Sequence, residues 1–230
     1  MVKKSLLADA HAVLASSNKM ESYRIQEWLL MKLVDEYPTH ENKSAVETKV
    51  KLLNLFYSTG IQAVNLMAEN ILSIKNIDDR LEKGDCKLVS QIAKLKVGTG
   101  EIRFNYSFAT KYCAYHQPTK FPIYDSIVAL TFASLFEKGF LPKYKYNRGK
   151  SNARNTYSKT EFMDKMKEYD FYVKVYNHFI EEYDLTSLCY REVDSYIWGA
   201  FKLPGDEFEI EKMAMLDKKN IKEYSFNSLE

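Results

Sequence analysis

The sequence predicts an all-α protein, and three observations carry that prediction. Glycine and proline are scarce, at 8 and 5 of 230 residues, against a usual combined share of about 12%. Apolar residues recur at helical spacing through most of the chain. Hydrophobic residues make up 46% of the total, enough to bury a substantial core. Collagen-like and proline-rich disordered chains are excluded, and a sandwich built on tight turns is disfavoured. The length suits one compact multi-helix domain over residues 1–230, with room for two intimate helical lobes and a cleft between them.

Each element follows from its pattern. Ile25, Trp28, Leu29, Leu30, Leu33 and Val34 form one apolar stripe that Tyr37-Pro38 ends, because the residue before proline resists helical geometry. Val46, Val50, Leu53 and Phe56 repeat the stripe over 45–56. Ser58-Thr59-Gly60 interrupts, and Ile61, Val64, Met67, Ala68 and Ile71 begin another. Short helices are expected at 88–95 and 105–116, the latter closed by Gln117-Pro118. Residues 125–137 form a strong candidate stopped by Gly139. Two long helices are expected at about 158–183 and 187–201. Only 94–104 suggests strands, as a small β-hairpin around Gly98-Thr99-Gly100. The tail after Lys212 is polar.

Charge excludes little, since 33 basic and 31 acidic side chains leave a net of +2. Three widely spaced cysteines (Cys86, Cys113, Cys189) fit a reducing cytoplasm and rule out a four-thiolate cluster. No apolar run is long enough to span a membrane, and the first 18 residues are too polar for a signal peptide. No cofactor is implied.

Two segments could carry chemistry. Residues 141–159 hold Lys143, Lys145, Arg148, Lys150, Arg154 and Lys159, three tyrosines and no acid. Such a basic loop with interleaved aromatics can neutralise phosphates and stack on bases, or simply be a solvated loop. The second segment, 107–128, passes from a helix through Pro118 and Pro122 to Asp125 at the start of the next helix. Asp125 there is either a helix cap or a carboxylate held at a pocket edge. Cys113 and His116 stand three residues apart without a third metal ligand, so a packed thiol and a bonded imidazole are expected. His11, His40 and His178 have no evident partners, and Asp194 reads as a solvated residue of a helix that buries Ile197 and Trp198.

That helix–loop–Asp125 order resembles the helix–hairpin–helix DNA glycosylase superfamily. A second patch, Phe56 to Asn70, is similar to the 8-oxoguanine glycosylase branch through Ile61 and Met67-Ala68-Glu69. The resemblance covers about residues 50 to 135. It implies a helical glycosylase-like fold, double-stranded DNA as partner, and excision of a flipped base with Asp125 as the essential carboxylate. It implies that Thr59 and Gly60 face the orphaned base and that Gly98 and Gly100 lie in the DNA-binding hairpin, although the usual Leu-Pro-Gly-Val-Gly is absent. Phe104, Tyr106 and Tyr124 become candidate base-pocket aromatics. Ser107 stands where bifunctional members carry their nucleophilic lysine, so no lyase step is implied. Lys111 is the nearest substitute, with a plain surface lysine as the competing reading. The alternative function is a non-catalytic helical protein of mobile-element or phage-defence type that binds nucleic acid or protein.

Overall fold

The computed structural model describes residues 22–98, 100–147, 153–183, 185–194 and 197. Helices dominate, and the chain divides into two compact units, residues 1–121 and 122–230.

Unit 1 opens with α1 (Ser22–Glu36) and α2 (Lys43–Tyr57). Asn42 starts α2 by accepting a hydrogen bond from the Ala45 amide at 3.0 Å, satisfying one amide of the open first turn. The stripe read from the sequence is the buried one, with Val46, Val50 and Leu53 all sealed from solvent. Sealing each such side chain is worth about 1.5–3 kcal/mol. After α3 (Val64–Ser73) comes α4 (Ile77–Glu82), a six-residue helix that the periodicity did not reveal. Then α5 (Cys86–Ala93) leads into the antiparallel hairpin β1 (Lys94–Lys96) and β2 (Ile102–Phe104), and α6 (Tyr106–His116) follows. The expected hairpin therefore forms, and Leu95 belongs to β1 rather than to the preceding helix. α2 packs against α1, α3 and α6, while α6 also packs on α5.

Unit 2 begins with α7 (Ser126–Glu137). Beyond it, β3 (Lys145–Tyr146) and β4 (Thr156–Tyr157) form a two-residue parallel pair that the sequence did not suggest. The helix expected over 158–183 is two helices, α8 (Lys159–Lys165) and α9 (Tyr169–Glu182). Ser158 and Glu161 close a reciprocal capping box at the start of α8. The break comes where Glu168 turns extended, at φ −84° and ψ 110°. Its core is aromatic: Phe136 stacks on Phe162 at 4.1 Å and Phe132 meets Tyr176 edge-on at 5.3 Å. Of the helix expected at 187–201, residues 190–194 are helical, with Val193 and Ile197 buried. Trp198, His11, the first 18 residues and the tail after Lys212 lie outside the described residues.

Candidate functional site

Asp125 sits at the N-terminus of α7 and accepts a hydrogen bond from the Ile127 amide at 2.8 Å. The cap reading is thus realised, and the segment leading to it is buried and bonded. Phe121, Pro122 and Ile123 are buried. The Tyr169 hydroxyl donates to the Pro122 carbonyl at 2.8 Å, and the Tyr172 hydroxyl donates to the Ile123 carbonyl at 2.5 Å. Both tyrosines project from α9, so one helix fixes the path of the peptide immediately before the carboxylate. Tyr124 is half-buried, edge-on to Tyr172 at 5.2 Å. Burial raises its hydroxyl pKa above the usual phenol value, Lys167 opposing and Asp125 reinforcing the shift. The proton therefore stays on Tyr124 at neutral pH.

The basic loop is only half what its composition suggested. Lys143, Lys145 and Arg154 are exposed, whereas Arg148 and Lys150 lie outside the described residues. Lys159 pairs with Glu137 at 2.6 Å. The tyrosines do not stand ready for bases. Tyr144 is buried against Phe162, Phe171 and His178, and burial pushes its hydroxyl up to about 12. Tyr146 packs edge-on to Phe136, and Tyr157 packs on Phe162 and Phe171. Among the described residues of this segment the aromatics are anchors, while Lys143, Lys145 and Arg154 face water, a division that period-free spacing could not reveal. His178 is not idle either, since its Nε2 accepts the Lys143 amide at 3.3 Å. Asp194 is half-buried rather than on a solvated face, and its charge adds to the burial that raises the Tyr176 hydroxyl.

In unit 1 the predicted residues lie on the turn before α3, on the β1–β2 hairpin and on α6, and Arg103 of the hairpin donates to Gln62 beside that turn at 2.9 Å. Thr59 donates to the Asn54 side-chain oxygen at 2.9 Å, and that same oxygen accepts the Ile61 amide. Asn54 thus braces the turn, and Gly60 adopts a φ of +74° that favours glycine. Gly98 and Gly100 form the hairpin turn, with Gly100 at φ +83°. Phe104 lies open on β2 rather than inside a base pocket, and Tyr106, stacked on it at 6.1 Å, is buried. Lys111 is not a surface lysine. It is buried, donates to the Ser107 hydroxyl at 2.7 Å and lies over the Tyr57 ring at 5.3 Å. Cys113 is sealed and its thiol pushed far up by burial, so it is an inert packed sulfur.

A polar cluster around the α1–α2 connector was missed altogether. Asp78 of α4 receives both the His40 amide at 3.3 Å and His40 Nδ1 at 2.5 Å. A carboxylate only accepts, so Nδ1 carries the proton and Nε2 accepts the Tyr112 hydroxyl at 2.8 Å. His116 stacks on His40 at 4.9 Å. Lys49, 1% exposed, donates to the Tyr37 carbonyl and toward His116 Nε2 at 3.4 Å. Burial drives its pKa down to about 8, with Asp78 opposing. Burial also lowers His40, against the pull of Asp78, and holds His116 well below the usual imidazole value. Both rings are therefore neutral at pH 7, and His40–Asp78 is a hydrogen bond rather than an ion pair. The outer edge opens on a shallow depression of about 310 Å³ lined by His40, Glu41, Ile74, Asn76, Ile77, Asp78 and Asp79. The cluster satisfies backbone groups of a connector in which His40 is buried while Pro38, Thr39, Glu41 and Asn42 are exposed. One signal was readable: Lys49 occupies a core position of the 46–49–50–53 helical stripe, where a cation is expensive.

Residues 9–120 match the family model described as HI_0787_N, N-terminal domain. An uncharacterized protein of Haemophilus influenzae is 47% identical over 79 residues, which is 34% of this chain and 39% of that protein. The match thus spans well under half of the relative's length. No solved structure matches. The family match ends one residue before the boundary that divides the two units.

Proposed function

We propose that the chain is a DNA-binding protein of base-excision type in which Asp125 is the essential carboxylate. The observation that supports this reading is the clamped approach to Asp125. Tyr169 and Tyr172 hold the two carbonyls that precede it by two and three residues, and the first turn of α7 holds the carboxylate itself. A carboxylate fixed before the substrate arrives needs no reorganisation when positive charge develops nearby. On a flipped nucleotide the bond from C1′ to the base nitrogen would break. The base would leave with the electron pair and take up a proton, and the sugar would become oxocarbenium-like. Asp125 would stabilise that cation while a water oxygen bonds to C1′, and the proton this water gives up balances the one taken up by the departing base. Exposed Lys143, Lys145 and Arg154 supply phosphate contacts for the same partner.

Asp125→Asn tests the reading cleanly, because asparagine caps a helix as well as aspartate. The expected result is unchanged thermal unfolding, unchanged duplex binding and a loss of base release of about 10²-fold or more. If wild type releases no base from duplexes carrying oxidised, alkylated or deaminated bases yet binds them in a salt-dependent way, the non-catalytic alternative holds.

A further inference from the structure

The β1–β2 hairpin presents two unlike faces. In its register Lys94 stands opposite Phe104 and Lys96 opposite Ile102, while Leu95 pairs with Arg103. Directly opposed residues share a face, so Lys94, Lys96, Ile102 and Phe104 lie on one side and Leu95 on the other. Leu95 is buried against the unit, at 3% exposure. The opposite side is open: Ile102 and Phe104 are each 56% exposed, and both lysines are exposed. Lys94 and Lys96 make no salt bridge among the described residues. The nearby acid, Glu101, is already engaged by Arg103 at 3.4 Å. Arg103 itself is drawn aside to Gln62 at 2.9 Å. The Phe104 ring lies within 18° of parallel to buried Tyr106, which fixes its orientation without covering it.

Two large apolar side chains beside two uncommitted cations on a rigid strand pair fit one kind of partner, a polyanion carrying flat apolar groups. We propose that this face of the hairpin binds the locally opened strand of DNA. Phe104 and Ile102 pack against bases unstacked when a nucleotide leaves the duplex, and Lys94 and Lys96 neutralise the flanking phosphates. This rests on the DNA-binding reading above. It assigns recognition of the opened strand to side chains of the strands rather than to the glycines of the turn.

The test uses the full chain and a fluorescent 25-base-pair duplex holding one abasic site opposite 2-aminopurine, with the intact duplex as control. Anisotropy titrations across a salt series give affinity and its salt slope. Ile102→Ala/Phe104→Ala is expected to weaken binding to the abasic duplex about fivefold or more, the equivalent of one lost base–aromatic stack, and to abolish the change in 2-aminopurine emission. Phe104→Trp is expected to restore both. Lys94→Glu/Lys96→Glu is expected to reduce the magnitude of the salt slope by roughly 2, close to one phosphate contact per lysine. All four side chains are exposed, so thermal unfolding of each variant should match wild type. Wild-type binding with every variant indistinguishable from it would overturn the hairpin proposal while leaving DNA binding intact. Wild type binding neither duplex would overturn the DNA reading and the hairpin proposal with it.

Discussion

The two units are centred on different chemistry. Unit 1 holds a charged and polar knot, in which Lys49, His116, His40, Asp78 and Tyr112 wrap the α1–α2 connector. Unit 2 is centred on stacked and edge-on rings, with Phe136 on Phe162 and Phe132 among Tyr172, Tyr176 and Phe179. The two should fail differently. A polar knot is lost when one partner disappears and leaves another stranded, whereas an aromatic core is lost when volume disappears.

The largest effect is expected in unit 2. Phe162→Ala removes a fully buried ring that touches Phe136, Tyr144, Tyr157 and Phe171, and should cost about 3–5 kcal/mol in denaturant unfolding. That cost should be insensitive to pH between 5 and 8. The next test addresses the knot. Tyr112→Phe keeps the volume and leaves His40 Nε2 without its donor, for an expected loss of about 1–3 kcal/mol.

The pH dependence of the knot can be signed. Both imidazoles titrate lower in the folded chain than in the unfolded one, so the unfolded state binds more protons as pH falls. Their contribution is complete above about pH 6.5 and is lost as pH falls through the folded values. Melting curves between pH 7.5 and 5 should show wild type losing stability, and His116→Gln should lose less. A pH-independent melting temperature in that range would refute neutral burial of the rings.

A smaller effect probes the clamp. Tyr172→Phe strands the Ile123 carbonyl and should cost about 1 kcal/mol, while depressing base release more than DNA binding. The smallest contrast is at Asp125 itself. Alanine there should cost about 1 kcal/mol through the lost cap, and asparagine almost nothing.

Much of the helical layout was legible from spacing alone, since α1 and α2 carry apolar stripes and α6 and α7 have clear stops at Gln117-Pro118 and Gly139. Asp125 was legible as well, because an aspartate before an apolar helical run has few other places to be. The knot was not. His40 and Asp78 stand 38 residues apart, and Asp78 sits on a six-residue helix too short to show a period. The tyrosines of 141–159 misled for a related reason: composition counts rings but does not say which way they point. Lys111 misled similarly, because only the packing of α6 shows that position 111 faces inward with Phe108 and Tyr112.

The clamp before Asp125 has a practical corollary for anyone dissecting the chain. Boundaries between compact units usually fall in exposed polar linkers, and proteases find them there. Here the boundary falls between Phe121 and Pro122, where both residues are buried and the following carbonyls are bonded to α9. Limited proteolysis should leave this junction intact. A fragment cut at residue 120, where the family match stops, would discard the buried Phe121 ring, so the sequence-defined edge is a poor place to divide the protein.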